Sequence, residues 1–230
     1  MTDTTPDPTP TGNTPRDVVH VQIVLDRSGS MEPLAASTID SVNGFLAKQR
    51  AHPGALRLSL ADFDSQEPFR TVIDAVPIAE VLDLTENDYQ PRGGTPLLDA
   101  IGRGVERCDA RIVLDPDEDQ VLVIITDGLE NASTDYDGDT ISKLLDARQE
   151  AGWAVLFLGA NQDSFDTGSA LSMKTGNVRD FDANLDGVRS ALLATGDALI
   201  EHRSRSKLQR RRMKDRLYDE QDRKRRTGGR

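Results

Sequence analysis

Residues 18–30 read VVHVQIVLDRSGS, and this stretch decides the fold. Val18 to Leu25 is an apolar, β-branched run, as expected for a strand covered on both faces. It ends in Asp26-Arg27-Ser28-Gly29-Ser30, a polar loop that no strand or helix interior would carry. The same alternation continues outward. Pro33 to Ala51 places Leu34, Ile39, Val42, Phe45 and Leu46 near helical spacing, with Pro33 suited to a first turn. Ala55 to Phe63 alternates as a strand, and Pro68 to Asp74 returns from it after the turn Asp64-Ser65-Gln66-Glu67. Pro96 to Arg107 carries Leu97, Leu98, Ile101 and Val105 on one helical face. Gln120 to Thr126 (QVLVIIT) and Trp153 to Gly159 (WAVLFLG) are further covered strands, separated by a helix over Thr140 to Ala151. Asp163 to Leu171 predicts a short helix, Asn177 to Phe181 an edge strand, and Asp182 to about Arg203 a last helix with Leu185, Val188, Leu192, Leu199 and Ile200 apolar. Strands alternating with helices predict an α/β fold: a Rossmann-like, doubly wound, mostly parallel sheet with helices on both faces and one antiparallel edge strand.

The chain has 230 residues and a net charge of −11. That length allows one domain with tails. Residues 1–16 are rich in Thr, Pro and Asp and are expected to be disordered. The folded domain is expected over 17–203, followed by a basic, helix-compatible tail over 204–230. Residues 201–230 carry +8, so the remainder carries −19. An acidic body repels nucleic acid and attracts cations. The tail's apolar residues, Leu208, Met213, Leu217 and Tyr218, make only a thin stripe. It reads as a frayed helical extension, as a segment docking on an acidic partner or the chain's own body, or as a weak, salt-sensitive nucleic-acid contact. A single cysteine, Cys108, precludes an intrachain disulfide and a Cys-cluster zinc site. The longest apolar run, Trp153 to Ala160, is too short to cross a bilayer. The N-terminus lacks a basic start and an apolar core, so a cytoplasmic protein without membrane contact is expected.

Three loops carry the chemistry. Asp26, Ser28 and Ser30, spaced two apart at a strand's carboxyl end, can converge on one hard cation, and oxygen-only ligands suit Mg²⁺, Mn²⁺ or Ca²⁺. Pro91-Arg92-Gly93-Gly94-Thr95-Pro96 makes a tight turn before a helix, where the Thr95 hydroxyl either caps that helix or faces a ligand. Thr126-Asp127-Gly128 adds a further carboxylate. In open α/β sheets ligands sit at the carboxyl ends of central strands, where these loops lie.

These loops, in this order, resemble the metal-ion-dependent adhesion site of von Willebrand factor type A (vWA) domains, with every position of that motif present: Asp26, Ser28, Ser30, Thr95 and Asp127. The resemblance covers roughly residues 18–203. GGTPLLDAI (93–101) and ITDGLENAS (125–133) look most like stand-alone bacterial and phage members. It implies one divalent cation, Mg²⁺ with Mn²⁺ or Ca²⁺ as substitutes, held by the two serines and the threonine, with the two aspartates binding directly or through water. It also implies an open coordination position filled by a partner's Asp or Glu, in a protein-binding module rather than an enzyme. Specificity is expected from the rim: Arg27, Met31, Glu32, Arg92, Leu129 and Glu130. Bacterial type A domains often work beside AAA+ ATPases, and since this chain has no Gly-x-x-x-x-Gly-Lys-Ser/Thr loop, such an ATPase would be a separate protein.

Two other classes stay open: a structural subunit packing in multiple copies, and a metal-dependent hydrolase. Hydrolysis needs a base beside the cation. His20 lies within the first strand, and His52 and His202 are expected at solvent-facing positions. Glu32 and Glu130 flank the loops. Asp135 to Asp139 lacks the full EF-hand pattern and reads as a solvated loop with Asp139 capping the next helix. Asp115 to Asp119 reads as a polar turn, Cys108 as a partly buried bystander and Trp153 as core.

Overall fold

The computed structural model describes residues 18–160 and 164–219. The first sixteen residues, and the tail beyond 219, lie outside the described residues. The strands are β1 (Val19–Asp26), β2 (Leu56–Phe63), β3 (Arg70–Pro77), β4 (Asp119–Thr126), β5 (Ala154–Ala160) and β6 (Val178–Phe181). The helices are α1 (Ala35–Ala51), α2 (Leu97–Leu114), α3 (Gly138–Glu150), α4 (Ser164–Ala170), α5 (Leu185–Arg203) and α6 (Lys207–Met213). The six strands form one sheet in the order β3-β2-β1-β4-β5-β6, parallel throughout except for β3 at one edge.

The sheet has two buried faces because its strands are apolar on both. Val19, Val21, Ile23 and Leu25 of β1 point to one core, together with Val42, Phe45 and Leu46 of α1 and Leu192 and Leu199 of α5. Val24, Leu122, Ile124, Val155 and Phe157 point to the other, with Ile101, Val105 and Cys108 of α2 and Ile141 and Leu145 of α3. Trp153 belongs to this second core. Cys108 is fully buried rather than partly so, because it falls on the apolar stripe of α2.

Several local expectations are corrected. A 3₁₀ turn over Gly29–Leu34 contains Pro33, and α1 starts only after it. α2 runs on to Leu114, past Arg107, through a last turn whose Val113 and Leu114 stay exposed. Asp137, not Asp139, caps α3, accepting the Thr140 N–H at 2.8 Å. Of the two roles left open for the Thr95 hydroxyl, capping α2 is not made. Of the 115–119 turn, Glu118 and Asp119 are buried. Glu118 accepts two hydrogen bonds from Arg111, at 2.7 and 2.8 Å.

The packed body also extends beyond Arg203. α6 begins at a capping box, Ser206 with Gln209, and lies against the amino end of β4. Arg210 is buried, its Nε donating to Asp119 Oδ2 at 2.6 Å. Further on, Leu217 N–H donates to Asn177 Oδ1 at 2.8 Å, and the Tyr218 and Thr195 hydroxyls lie 2.9 Å apart. Residues 206–219 thus dock on the chain's own acidic body, one of the readings left open for the tail. A thin apolar stripe suffices because a buried ion pair and Asn177 complete it.

His202 is the main correction here. It is buried beneath this segment, 3% exposed, and its Nδ1 has no hydrogen-bond partner among the described residues. Burial, with Arg210 and Arg205 nearby, pushes its pKa down to about 3 from 6.5. Burial lowers His20 as well. The native state therefore holds His202 neutral while the unfolded chain protonates it below about pH 6.5. Its contribution is present above that pH and lost progressively as pH falls toward 3, with a slope of up to about 1.4 kcal/mol per pH unit for one proton. Urea midpoints measured from pH 7 to pH 4.5 should fall for the wild type and fall less steeply for His202→Leu.

Candidate metal centre

From β1 the chain moves outward to β2 and β3, then returns to β4 on the other side of β1. The loops leaving β1 and β4 diverge there, which opens a crevice at the strands' carboxyl ends. Asp26 closes β1 and Thr126 closes β4, so both predicted carboxylate loops emerge at this point.

The side chains converge. Asp26 is fully buried; its Oδ1 accepts the Ser28 N–H at 2.7 Å and its Oδ2 accepts the Thr126 hydroxyl at 2.5 Å. The Ser28 and Ser30 hydroxyl oxygens are 3.0 Å apart, and Ser30 donates to Asp127 Oδ1 at 2.7 Å. A Cβ placed on Gly128 would lie 3.0 Å from Thr95 Oγ1 and 3.5 Å from Ser30 Oγ. A glycine there leaves open the space those two hydroxyls share. The five residues expected to ligate a cation are therefore brought to one locus, with Asp26, Ser28 and Thr95 buried and Ser30 exposed at the mouth.

Backbone hydrogen bonds knit the loops that hold them. Arg27 N–H donates to Phe63 O at 2.9 Å, Gly29 N–H to Gly93 O at 3.0 Å, Arg92 N–H to Arg27 O at 2.8 Å and Ser65 N–H to Gly94 O at 3.0 Å. Gly93 has φ +67°, and a Cβ on it would come within 2.6 Å of Ser65 Oγ, so the turn before Thr95 requires glycine. Tyr89 adds a hydroxyl bond to Asp26 O at 2.5 Å.

The electrostatics are unbalanced. Burial raises the Asp26 carboxyl to about 6, against the hydrogen bonds from Thr126 and Ser28, and the charge of Asp127 pushes the same way as burial. Burial also raises Asp127. Among the described residues no Lys or Arg pairs with either. Arg27 turns away to Asp62, Asp64 and Glu67, at 3.5, 2.5 and 3.0 Å. Two carboxylates and three hydroxyls converging without a counter-cation form a donor set that fits a hard divalent ion. Among the described residues no group of three or more His, Cys, Asp or Glu could hold a metal, so a site here rests on hydroxyls as much as on carboxylates.

The rim differs from expectation. Arg27 and Met31 are buried, Arg27 in its acidic triad and Met31 in the core. Glu130 is saturated: its carboxylate accepts N–H bonds from Leu98, Ala132 and Ser133 and the Ser133 hydroxyl, all at 2.7–2.9 Å. Arg92 is exposed but pairs with Asp64 at 3.1 Å and Glu67 at 3.3 Å. Glu32 and Leu129 remain open to solvent, Leu129 at 63%.

Some positioning residues escaped the sequence reading. Asp99, buried in the first turn of α2, accepts the N–H groups of Thr134, Asp135 and Tyr136 at 2.9–3.0 Å. Thr95 N–H donates to Asn131 Oδ1 at 2.8 Å, and Asn131 N–H returns to Thr95 O at 3.1 Å. With Glu130, these contacts strap the β4–α3 loop to the start of α2. An acidic residue in a helix's first turn is the only sequence signal for Asp99, and it does not name the partner. Asp99→Ala should orphan three backbone donors and destabilise by about 3 kcal/mol, read as a lower denaturant midpoint with faster amide exchange at 134–136.

No protein-family model and no curated protein matches the chain. Solved structures do resemble it. The SpaC pilus adhesin of Lactobacillus rhamnosus GG, in an open conformation, superposes with TM-score 0.64 at 15% identity, over 80% of this chain and 30% of the adhesin. A von Willebrand factor type A structure from Catenulispora acidiphila matches with TM-score 0.54 at 13% identity, over 79% of this chain and 42% of that one. Manganese-loaded TRAP protein of Plasmodium vivax matches with TM-score 0.52 at 15% identity, over 79% and 74%. This chain thus spans under half the length of the first two. At these identities the likeness concerns architecture: the chain has the fold of von Willebrand factor type A domains.

Proposed function

We propose that the chain is a metal-dependent protein-interaction module. Asp26, Ser28, Ser30, Thr95 and Asp127 hold Mg²⁺, with Mn²⁺ or Ca²⁺ as substitutes, and an Asp or Glu of a protein partner completes the coordination. The observation that carries this reading is the convergence of two uncompensated carboxylates and three hydroxyls at the β1–β4 switch point. Bound there, a divalent cation supplies positive charge to an otherwise anionic crevice and a position at which an incoming carboxylate is attracted. The chain's own residues do the rest. Thr126 and the Ser28 N–H orient Asp26, Ser30 and Asp127 face the opening, and Glu32 and Leu129 meet the partner. The manganese-loaded state of the TRAP neighbour and the adhesin identity of SpaC support the same reading.

A binding role is favoured over hydrolysis because, of the candidate bases among the described residues, only Glu32 is left free near the locus. Glu130 is saturated with donors, His20 is bonded to Gln120 and Ser59, and His202 lies under α6 at the opposite end of the sheet. A cytoplasmic setting, with a separate AAA+ ATPase as one candidate partner, completes the proposal. Among the described residues no helix is long and apolar enough to cross a membrane.

Calorimetric titration with Mn²⁺ tests it. The wild type should bind one ion, and Asp127→Ala and Ser28→Ala should each weaken binding at least about tenfold, a loss of roughly 1.4 kcal/mol. Asp26→Asn should abolish binding yet keep the midpoint within about 1 kcal/mol, since the amide still accepts from Ser28 and meets Thr126, contacts that Asp26→Ala would leave orphaned. Equal Mn²⁺ affinity in all the variants would sink the reading.

A further inference from the structure

Acidic loops and a basic helix, α6, lie at opposite ends of the molecule. At the metal-centre end lie the strands' carboxyl termini and the starts of the helices, with exposed Glu32, Asp137, Asp139, Asp182 and Asp186. At the opposite end lies α6, with exposed Arg211 and Arg212 and with Arg216 beyond it, beside the exposed acids Glu150 and Asp219. The exposed large apolar residues divide the same way. Leu129, Phe165 and Leu185 sit at the first end, Val113, Leu114 and Leu208 at the second, and among the described residues only Leu82 lies elsewhere. Exposed apolar side chains at either end are available to a contact surface.

The second pole also presents a carboxylate. Beyond Leu114, a turn closes with Glu118 N–H donating to Asp115 O at 3.2 Å, which places Pro116 and Asp117 at its tip. Pro116 fixes the backbone at the turn's second position. The turn is braced on one side by buried Glu118, paired with Arg111 at 2.7 Å, and on the other by Lys207 of α6, whose Nζ donates to Asp117 O at 2.7 Å. Asp115 pairs with Arg111 at 3.6 Å, whereas the exposed Asp117 carboxylate has no ion-pair partner among the described residues. A braced turn loses little conformational freedom on binding.

From the reading of the metal centre given above, we infer that the partner is a second copy of this chain, with the Asp117 turn of one molecule completing the metal centre of the next. The Val113–Leu114 pair then meets Leu129 at the rim, and basic α6 faces the acidic pole. Because different surfaces of the two molecules meet, the contact is heterologous and propagates head to tail instead of closing as a two-fold dimer. Complementary poles favour encounter, and raising the salt concentration weakens it.

Sedimentation velocity of the full chain, up to on the order of 100 µM as suits a small transient interface, tests this. In Mg²⁺ the mean sedimentation coefficient should rise with concentration, and in EDTA it should stay at the monomer value. Asp117→Asn should remain monomeric yet still bind one Mn²⁺ per chain. Asp127→Ala should remain monomeric and lose Mn²⁺. Mixed in Mg²⁺, the two variants should form a one-to-one dimer and nothing larger, since each retains one working pole. A wild type that binds Mn²⁺ but stays monomeric would overturn the self-assembly inference and leave the metal centre standing. Assembly unchanged by Asp117→Asn would overturn it too, by moving the contact elsewhere. Absence of Mn²⁺ binding would remove the metal centre and this inference together.

Discussion

The structure is organised around two carboxylates that no cationic side chain among the described residues compensates. Asp26 and Asp127 reach the same crevice from adjacent strands, and burial raises both. Burying charge without a partner is costly, and here the cost is limited by three devices. Asp26 accepts from Thr126 and Ser28, Asp127 accepts from Ser30, and the crevice opens to solvent at Ser30. The nearest arginine is withheld. Arg27 follows Asp26 directly yet is locked among Asp62, Asp64 and Glu67, so it balances those acids and leaves the Asp26–Asp127 charge for a ligand.

Holding two like charges together requires a stiff frame, and much of the buried polar inventory supplies it. Glu130, Asp99 and Asn131 tie the β4–α3 loop to α2 through backbone N–H groups, and Gly93 lets the Thr95 loop pass close to Ser65. Carboxylates spent on backbone donors are positioning elements, which is why Glu130 keeps no free acceptor at the rim despite standing two residues beyond Gly128. The far end is stiffened differently. Arg203, buried with no carboxylate partner among the described residues, donates to Gln49 Oε1 and Gly54 O, and Arg210 neutralises Asp119. Burial brings the Arg203 pKa down to about 10, and the carbonyl-rich end of α1 offsets part of that cost.

The distribution of charge follows from the same topology. In a parallel sheet with helical crossovers, helices start at one end and finish at the other, and acids at helix starts with bases at helix ends stabilise each helix. At the candidate site this leaves exposed acids at the starts of α3 and α5, Asp139 and Asp186, whereas the last-turn bases of α1, α2 and α3 at the other end are paired with acids.

The sequence by itself determined the alternation of covered strands and amphipathic helices, because period and β-branched content are local properties. Asp26, Ser28, Ser30, Thr95 and Asp127 were legible for a similar reason: hydroxyl and carboxylate residues crowd loops at strand ends, where the fold puts crevices. What the sequence could not supply was the direction and partner of each side chain. Arg27, Met31 and Glu130 sit beside the motif in the chain, yet tertiary contacts turned the first into an acidic triad, the second into the core and the third onto backbone donors. His202 and the segment after Arg203 followed the same rule. Sparse apolar residues left docking on the body as one of three open readings, and an ion pair between Arg210 and Asp119, 91 positions apart, is what seals the segment there. Interactions at that separation depend on how the sheet is assembled, so only the tertiary structure decided them.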